Sequence, residues 1–432
     1  MRRKPRPVAK PDPKRQVELV IEKLGTEGVG LARLDGKPVL VPDALPGERV
    51  RVETDGGREP ARLLERLSDS ADRIAPACRH FGTCGGCVLQ HLAPAPYAGF
   101  KRQLIRDALG RQGLGAVEVA EPLVSPPASR RRATLEARRV ASGVVLGFHR
   151  RASHQILDLA ECPVLRPAIV GLLPGLRSLL AGLLGNGQAA SVIVTEAETG
   201  IDLGLELPSE PDLAGLEALS SFAAAADLAR LWWRVAGAAP MPAAQRRPVT
   251  QHFGAVAAEL PAGVFLQAAA EGEAALRDAV SQGLGSARRI ADLFAGIGTF
   301  TLALAANRAV HAVEGDAAAL AGLAAAIRRA QLVQVTTERR DLDARPLLPE
   351  ELAGYDAVVF DPPRAGAKAQ AEQLARSAVP IVIGVSCNPA SFARDAAILA
   401  AGGYGLERVL PVDQFLWSNH VELVGIFRRG RD

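Results

Sequence analysis

The sequence predicts an α/β protein whose C-terminal part is a parallel sheet covered by helices, preceded by a small β-barrel and a central α+β region. Three observations carry this expectation. From about residue 263, helical patterns (271–283, 299–307, 317–330, 391–402) alternate with short apolar strand patterns (290–293, 309–313, 357–360, 381–385). Such alternation makes a parallel sheet with crossover helices. The turn Asp292-Leu293-Phe294-Ala295-Gly296-Ile297-Gly298-Thr299-Phe300 joins the first of these strands to its helix, a context in which glycines let a ligand approach the backbone. Near the amino terminus, four short segments (17–21, 28–32, 39–42 and 49–53) are separated by Gly, Asp and Pro. That spacing reads as a small barrel.

At 432 residues the chain exceeds one ordinary core, and roughly 150 residues per domain suggests about three domains. We expect a basic arm at 1–16, the barrel at 17–72, a central domain at 73–264 and the α/β domain at 265–432. Within the central segment, 97–112 reads as a helix and 122–127 as a linker, so this stretch is expected to pack elsewhere than its neighbours. The longest apolar run, 169–184, is interrupted by Gly171, Pro174, Gly175, Arg177 and Gly182 and falls short of the roughly 20 residues of a membrane span. The basic start has no apolar core behind it, unlike a secretory signal. A cytoplasmic location is expected, and no internal repeat is visible.

Net charge is only +4, so the distribution of charge matters more than its total. Arg2, Arg3, Lys4, Arg6, Lys10, Lys14 and Arg15 crowd the start, and Arg130, Arg131, Arg132, Arg138, Arg139, Arg150 and Arg151 form a second group. Either could neutralise phosphates. A disordered tail and a solvated strand face are the plainer alternatives, and the second group is the better candidate for RNA.

Five cysteines are too few for a disulfide framework in an intracellular protein. Cys78, Cys84 and Cys87 are spaced C-x5-C-x2-C around Gly82, Gly85 and Gly86, and Cys162 stands apart before Pro163. Three close thiolates and one remote one can surround a [4Fe-4S] cluster, the expected metal centre. Zinc is the rival, with His80 or His91 completing its ligands, although the second short pair usual for zinc is missing. No redox-partner motif is visible, so a structural or RNA-orienting cluster is expected.

If S-adenosylmethionine binds at the glycine turn, Glu314, ending the next apolar strand, is placed to accept both ribose hydroxyls. Asp341, about one βα unit later, could bind the adenine amino group or serve as a loop carboxylate. Asp361-Pro362-Pro363-Arg364 follows the strand 357–360, at the edge where open sheets place ligands. Methyltransferases acting on adenine amino groups carry an aromatic residue after such a motif. Here Arg364 follows, which favours a different base chemistry. Cys387, in Val385-Ser386-Cys387-Asn388-Pro389, suggests which. Carbon 5 of a pyrimidine is too weak a nucleophile to take a methyl group directly, but a thiolate adding to carbon 6 creates an enolate that can attack; a base then removes the carbon 5 proton and the thiolate leaves. Glu422 is the chosen base, with His420 as substitute. By itself a cysteine before Asn-Pro would more often be structural.

Taken together, these motifs resemble the RNA uridine-C5 methyltransferases, in particular the 23S ribosomal RNA branch that carries a TRAM domain (an OB-like RNA-binding barrel) and an iron–sulfur cluster. The resemblance covers nearly the whole chain: the TRAM-like start with Gly28-Val29-Gly30 and residues 43–48, the four cysteines, Phe265-Leu266-Gln267, the glycine turn, Asp361-Pro362-Pro363-Arg364-Ala365-Gly366, Ser386-Cys387-Asn388-Pro389 and His420-Val421-Glu422. It implies a Rossmann-like class I methyltransferase domain with Cys387 as nucleophile and Glu422 as base. It further implies that Gln267, Phe294, Gly296, Thr299, Glu314, Asp341 and Asp361 line the cofactor and uracil pockets, and that the helical stretch after Cys87, within 97–125, packs on the catalytic domain. Thr299 and Asp341 stand where some relatives have Asn. The implied partner is RNA, with the target uridine drawn out of its stack; no DNA or membrane partner is expected, and a monomer is. The same chemistry on tRNA is the second reading, disfavoured by the cluster cysteines and the barrel. A non-catalytic RNA-folding factor is the third, disfavoured by Cys387 and Glu422.

Overall fold

The computed structural model describes residues 14–56 and 60–430. Arg2, Arg3, Lys4, Arg6 and Lys10 of the expected basic arm lie outside the described residues. The chain forms two compact units, one from residues up to 82 with 86–100 and 417–419, the other from 83–85, 101–416 and 420 onward.

The first unit holds six strands: β1 (Arg15–Val20), β2 (Lys23–Leu24), β3 (Gly30–Leu34), β4 (Lys37–Val41), β5 (Arg49–Thr54) and β6 (Arg62–Arg66). They form two three-stranded antiparallel sheets, β1-β5-β6 and β2-β3-β4. Alternate residues face inward, so Leu19, Ala32, Val39, Val41, Val50 and Val52 make the core. Asp35 and Gly36 link β3 to β4 with φ of 52° and 76°, the left-handed pair that matches the twist of a tight hairpin. Glu48 is fully buried and accepts from Leu45 N (2.9 Å) and from Arg73 Nε (2.5 Å) and Nη2 (2.9 Å). Burial works to raise its pKa, yet Arg73 and the amides of Leu45 and Ser70 hold it below the usual range. Two strands beyond the four expected, β2 and β6, carry no clear alternation that would mark them in the sequence.

Apart from 83–85, the second unit runs from Lys101 of helix α1 (Pro94–Gly110), followed by short strands β7 (Glu118–Val119) and β8 (Leu123–Val124). A six-stranded sheet comes next: β9 (Arg132–Val140), β10 (Gly143–Gly147), β11 (Ala189–Ala197), β12 (Gly200–Leu207), β13 (Arg230–Val235) and β14 (Met241–Gln245), in the order β10-β9-β11-β12-β13-β14. Helices α2 (Pro167–Gly171), α3 (Leu173–Leu183) and α4 (Leu213–Ala225) contribute to the same hydrophobic core. The apolar run 169–184 therefore spends its hydrophobicity on that core, through buried Leu173, Leu176, Leu179 and Leu180. Among the described residues no helix is long and apolar enough to cross a membrane.

A small hairpin, β15 (Thr250–Phe253) with β16 (Val256–Glu259), leads into the C-terminal sheet. Its elements run α5 (Ala270–Leu284), β17 (Arg289–Leu293), α6 (Thr301–Leu304), β18 (Ala309–Glu314), α7 (Ala317–Arg329), β19 (Val335–Arg339), β20 (Ala357–Phe360), α8 (Lys368–Leu374), β21 (Ile381–Ser386), α9 (Pro389–Ala401), β22 (Tyr404–Asp413) and β23 (Glu422–Arg429). The strands align β19-β18-β17-β20-β21-β23-β22, with β7 and β8 pairing beyond β22. The first five run parallel and β23 is inserted antiparallel between β21 and β22. The central strands are apolar on both faces because both are covered. Ile290, Val359, Ile383 and Val385 pack with residues of α5, whereas Leu293, Val358, Phe360 and Val382 pack with residues of α8 and α9. The alternation expected from residue 263 onward is thus present; β8 lies where a linker was expected, and it is a strand because it pairs with Val412 and Asp413.

Candidate active site

Chain order reverses between β17 and β20, and ligands of open α/β sheets bind outside the carboxyl ends of the strands at such a switch point. β17 delivers Asp292 there, β18 Glu314, β20 Asp361 and β21 Cys387. Because β23 runs the other way, its first residue, Glu422, starts at the same edge. The β21–β23 register pairs Ser386 with Leu423, so the next step along it sets Cys387 opposite Glu422. Facing residues of an antiparallel pair lie about 4.5–5.5 Å apart at their Cα atoms.

Beyond β17 the chain curls sharply. Phe294 takes φ 59°, unusual for a side chain of its size, and Gly296 and Gly298 take 55° and 96°. A Cβ on Gly298 would stand 2.5 Å from Leu323 Cδ1. Glu314 organises this curl, accepting from Gly296 N at 2.8 Å and from Asp316 N at 2.7 Å. Thr301 Oγ1 donates to Asp292 Oδ2 at 2.5 Å, while Asp292 Oδ1 is buried without a partner.

Three carboxyls meet at the edge. Burial, followed by the nearby Glu314, pushes Asp292 up to about 7. Burial, then the charge of Asp292, pushes Asp361 up to about 7. Burial and Asp361 push Glu422 up to about 8, against hydrogen bonding from Gln414; Glu422 Oε2 is buried without a partner. Cys387 is half-buried, and burial, Glu422 and Asp361 push its thiol up to about 11, with Arg364 opposing. The site at rest therefore holds a neutral thiol. One positive charge placed among these carboxyls would favour their ionised forms.

Beside the carboxyls opens a cleft of about 240 Å³ lined by Arg130, Arg132, Phe265, Gln267 and Phe415. Arg132 lies over the Phe265 ring at 4.6 Å and Arg130 over Phe415 at 5.7 Å. Gln267, nearly fully buried, donates to Asp361 Oδ2 at 3.2 Å and accepts from Gln414 Nε2 at 2.6 Å. Arg364 Nη2 lies 3.4 Å from His420 Nδ1. Behind the cleft, buried Lys101 contacts Asp413 Oδ1 at 3.0 Å, Phe415 O at 3.5 Å and the carbonyl of His420.

Of the residues singled out from sequence, Gln267, Asp361, Cys387 and Glu422 are brought together, and Phe294, Gly296, Thr299 and Glu314 share the neighbouring curl. Asp341 is exposed and caps its own turn, accepting from Asp343 N at 3.1 Å and Ala344 N at 3.2 Å. The basic group needs one correction: Arg131 is buried, bonded to Glu273 at 2.5 Å, Gln251 at 3.3 Å and Gln267 O at 3.0 Å, so it is a structural tie and faces no phosphate. Asp292, Gln414 and Lys101 take part in the site without having been singled out by sequence. Asp292 opens the glycine-turn motif and was within reach of that pattern; the other two are single polar residues with no pattern around them.

The metal centre expected on the cysteines is not found. Among the described residues no group of three or more His, Cys, Asp or Glu side chains is placed to hold a metal ion. Cys78, Cys84, Cys87 and Cys162 are each half-buried, and spacing along the chain does not fix the distances between their sulfurs. Cofactor binding at the switch point fits better: a turn with no Cβ contact at Gly296 and buried, partnerless oxygens on Asp292 and Glu422 leave donors and a positive charge to be accommodated.

The strand order, counted from β17, is 3-2-1-4-5-7-6, which with its switch-point acids defines a class I methyltransferase, here joined to a small barrel of RNA-binding type. The family model tRNA (uracil-5-)-methyltransferase matches residues 259–430, and that of the TRAM domain matches 14–55. An uncharacterized RNA methyltransferase of Brucella suis is 46% identical over 415 residues, covering 96% of this chain and 98% of that protein. The 23S rRNA (uracil(1939)-C(5))-methyltransferase RlmD of Halomonas elongata is 37% identical over 427 residues, covering 94% and 88%. The crystal structure of Pyrococcus abyssi tRNA (uracil-54, C5)-methyltransferase with S-adenosyl-L-homocysteine superposes with a TM-score of 0.73 at 23% identity, covering 95% of this chain and 100% of that one; it shares the fold. The chain belongs to the RNA uracil-5-methyltransferase family with a TRAM domain and is an enzyme of that class.

Proposed function

We propose that this enzyme methylates carbon 5 of a uridine in 23S ribosomal RNA through a covalent adduct on Cys387. The observation that supports the chemistry is the β21–β23 ladder ending at Ser386 and Leu423, the chain neighbours of Cys387 and Glu422. The Cys387 thiolate adds to carbon 6 of the uracil, making carbon 5 nucleophilic. S-adenosylmethionine would supply the electrophilic methyl group and a positive charge; Gln267, Phe294, Gly296, Thr299, Glu314, Asp341 and Asp361 are assigned to line its pocket and that of the uracil. Glu422 then takes the carbon 5 proton, the carbon 5–carbon 6 double bond re-forms, and the Cys387 sulfur leaves. The cleft with Phe265 and Phe415 under two arginines suits an unstacked base.

The ribosomal target rests on the Halomonas relative, the barrel and the near-complete coverage of the chain. In this reading 17–72 grips RNA, 73–264 shapes its path and 265–432 carries out the chemistry, in the cytoplasm and as a monomer. A [4Fe-4S] cluster on Cys78, Cys84, Cys87 and Cys162 rests on spacing alone. About four irons per chain after anaerobic purification supports it; zinc or no metal ends it. The function itself is tested by nucleoside mass spectrometry of 23S rRNA and tRNA, purified separately from a strain lacking the gene. Loss of 5-methyluridine from 23S rRNA alone is expected. Loss from tRNA alone would overturn the substrate, and no loss the reading as a whole.

A further inference from the structure

A fully buried cation stands behind the cleft. Lys101 of α1 is wholly enclosed, as is its ion-pair partner Asp413 at the end of β22. An ammonium group has three N–H donors and no acceptor, and burial obliges each of them to find an oxygen. Lys101 Nζ meets Asp413 Oδ1 at 3.0 Å, the Phe415 carbonyl at 3.5 Å and the His420 carbonyl. Asp413 Oδ1 also accepts from Phe415 N at 3.0 Å, so both backbone polar groups of Phe415 are engaged by the one ion pair. The two residues held through their carbonyls are five apart in the chain, yet their rings meet edge to face with centroids 6.1 Å apart. Each also faces an arginine of the site. Arg130 lies over the Phe415 ring at 5.7 Å, and Arg364 Nη2 lies 3.4 Å from His420 Nδ1.

We propose that Lys101 is a positioning residue for the RNA side of the site: its ammonium staples the backbone at Phe415 and His420, so that the Phe415 ring is held as a wall of the cleft with His420 braced against its edge. The inference rests on the proposed use of the cleft by an unstacked base. Being fully buried, Lys101 meets no RNA itself; it acts through two carbonyls. A salt bridge that served stability alone would need the carboxylate and any two acceptors. Here the acceptors belong to the residue that lines the cleft and to the one that supports its ring.

The test follows methyl transfer from labelled S-adenosylmethionine to 23S rRNA taken from a strain lacking the gene, and reads kcat and the KM of each substrate. Lys101→Met is combined with Asp413→Leu, which removes the ion pair without stranding either charge; Phe415→Ala removes the wall directly. Phe415→Ala should raise the KM for RNA about tenfold, the size of one base stacked on one aromatic ring. The double variant should raise it about as much, and all three changes together less than about twofold further, because both act on one wall. The KM for S-adenosylmethionine should stay within about twofold throughout. A lysine that only stabilises the fold would lower the active fraction, and with it kcat, at an unchanged KM for RNA. That result in a folded variant would overturn the proposal, as would a triple variant whose KM rises by the product of the separate effects. If the double variant does not fold, Lys101→Gln, neutral but still a donor, decides by the same KM. An unchanged KM in Phe415→Ala, or no transfer by the wild type, would end the reading of the cleft and the proposal with it; a raised KM there but not in the lysine variants ends the proposal alone.

Discussion

At the scale of single residues the site divides by what each protonation state permits. Glu422 can take a proton only once ionised, and its pKa is raised to about 8 by burial. A raised carboxyl is neutral below that value, so kcat/KM should climb with pH through about 8 and not fall away above neutrality as a histidine acid would make it; a flat profile from pH 6 to 9 would speak against Glu422. Glu422→Gln leaves the addition of Cys387 possible but removes the base. Methylation should drop by about 10²- to 10⁴-fold while a denaturant-stable protein–RNA adduct accumulates on gels. Absence of the adduct with intact RNA binding would argue against the assignment. Cys387 and Glu422 were singled out through the set of motifs around them, since a cysteine before Asn-Pro alone would more often be structural. Gln414 was not: it is tied to a backbone amide 145 positions away, which no local pattern encodes.

Among the elements, β20 and β21 were legible because they are apolar runs buried on both faces, whereas the parallel strand β19, Val-Thr-Thr-Glu-Arg, is mostly polar and exposed and was not expected. β22 and β23 were not, since β22 mixes charged and apolar residues and leaves Gly405, Glu407 and Arg408 exposed or nearly so, and β8 is too short to announce itself. The segment between β22 and β23 depends on one buried cation. Lys101 binds Asp413 and two carbonyls, those of Phe415 and His420, and both ionic side chains are 0% exposed. Lys101→Met strands the Asp413 charge and should cost about 3–5 kcal/mol in urea unfolding. Combining it with Asp413→Leu should return part of that loss, since two apolar groups leave no unpaired charge. If the double variant is less stable than the single one, the pairing is not what holds this segment.

For the whole molecule, electrostatics is carried by position and not by the net charge of +4. The sequence groups seven arginines between 130 and 151 as an RNA contact, yet burial removes Arg131 from it and stacks Arg132 on Phe265. Composition cannot tell an arginine that ties a core from one that meets a phosphate; only its neighbours can. The amino-terminal group is the cleaner test. Replacing Arg2, Arg3, Lys4, Arg6 and Lys10 by alanine should weaken RNA binding and lower the slope of log affinity against log salt by about 0.7 for each single-strand phosphate no longer neutralised. An unchanged slope would assign these charges to solvent.

In the proposed mechanism nucleophile and base stand at the adjoining ends of neighbouring strands, so their spacing depends on the hydrogen-bond ladder between β21 and β23. A slip of one residue between β21 and β23 would send one of the two side chains to the opposite face of the sheet, so a single insertion inside either strand should abolish methylation, as nucleoside mass spectrometry would read.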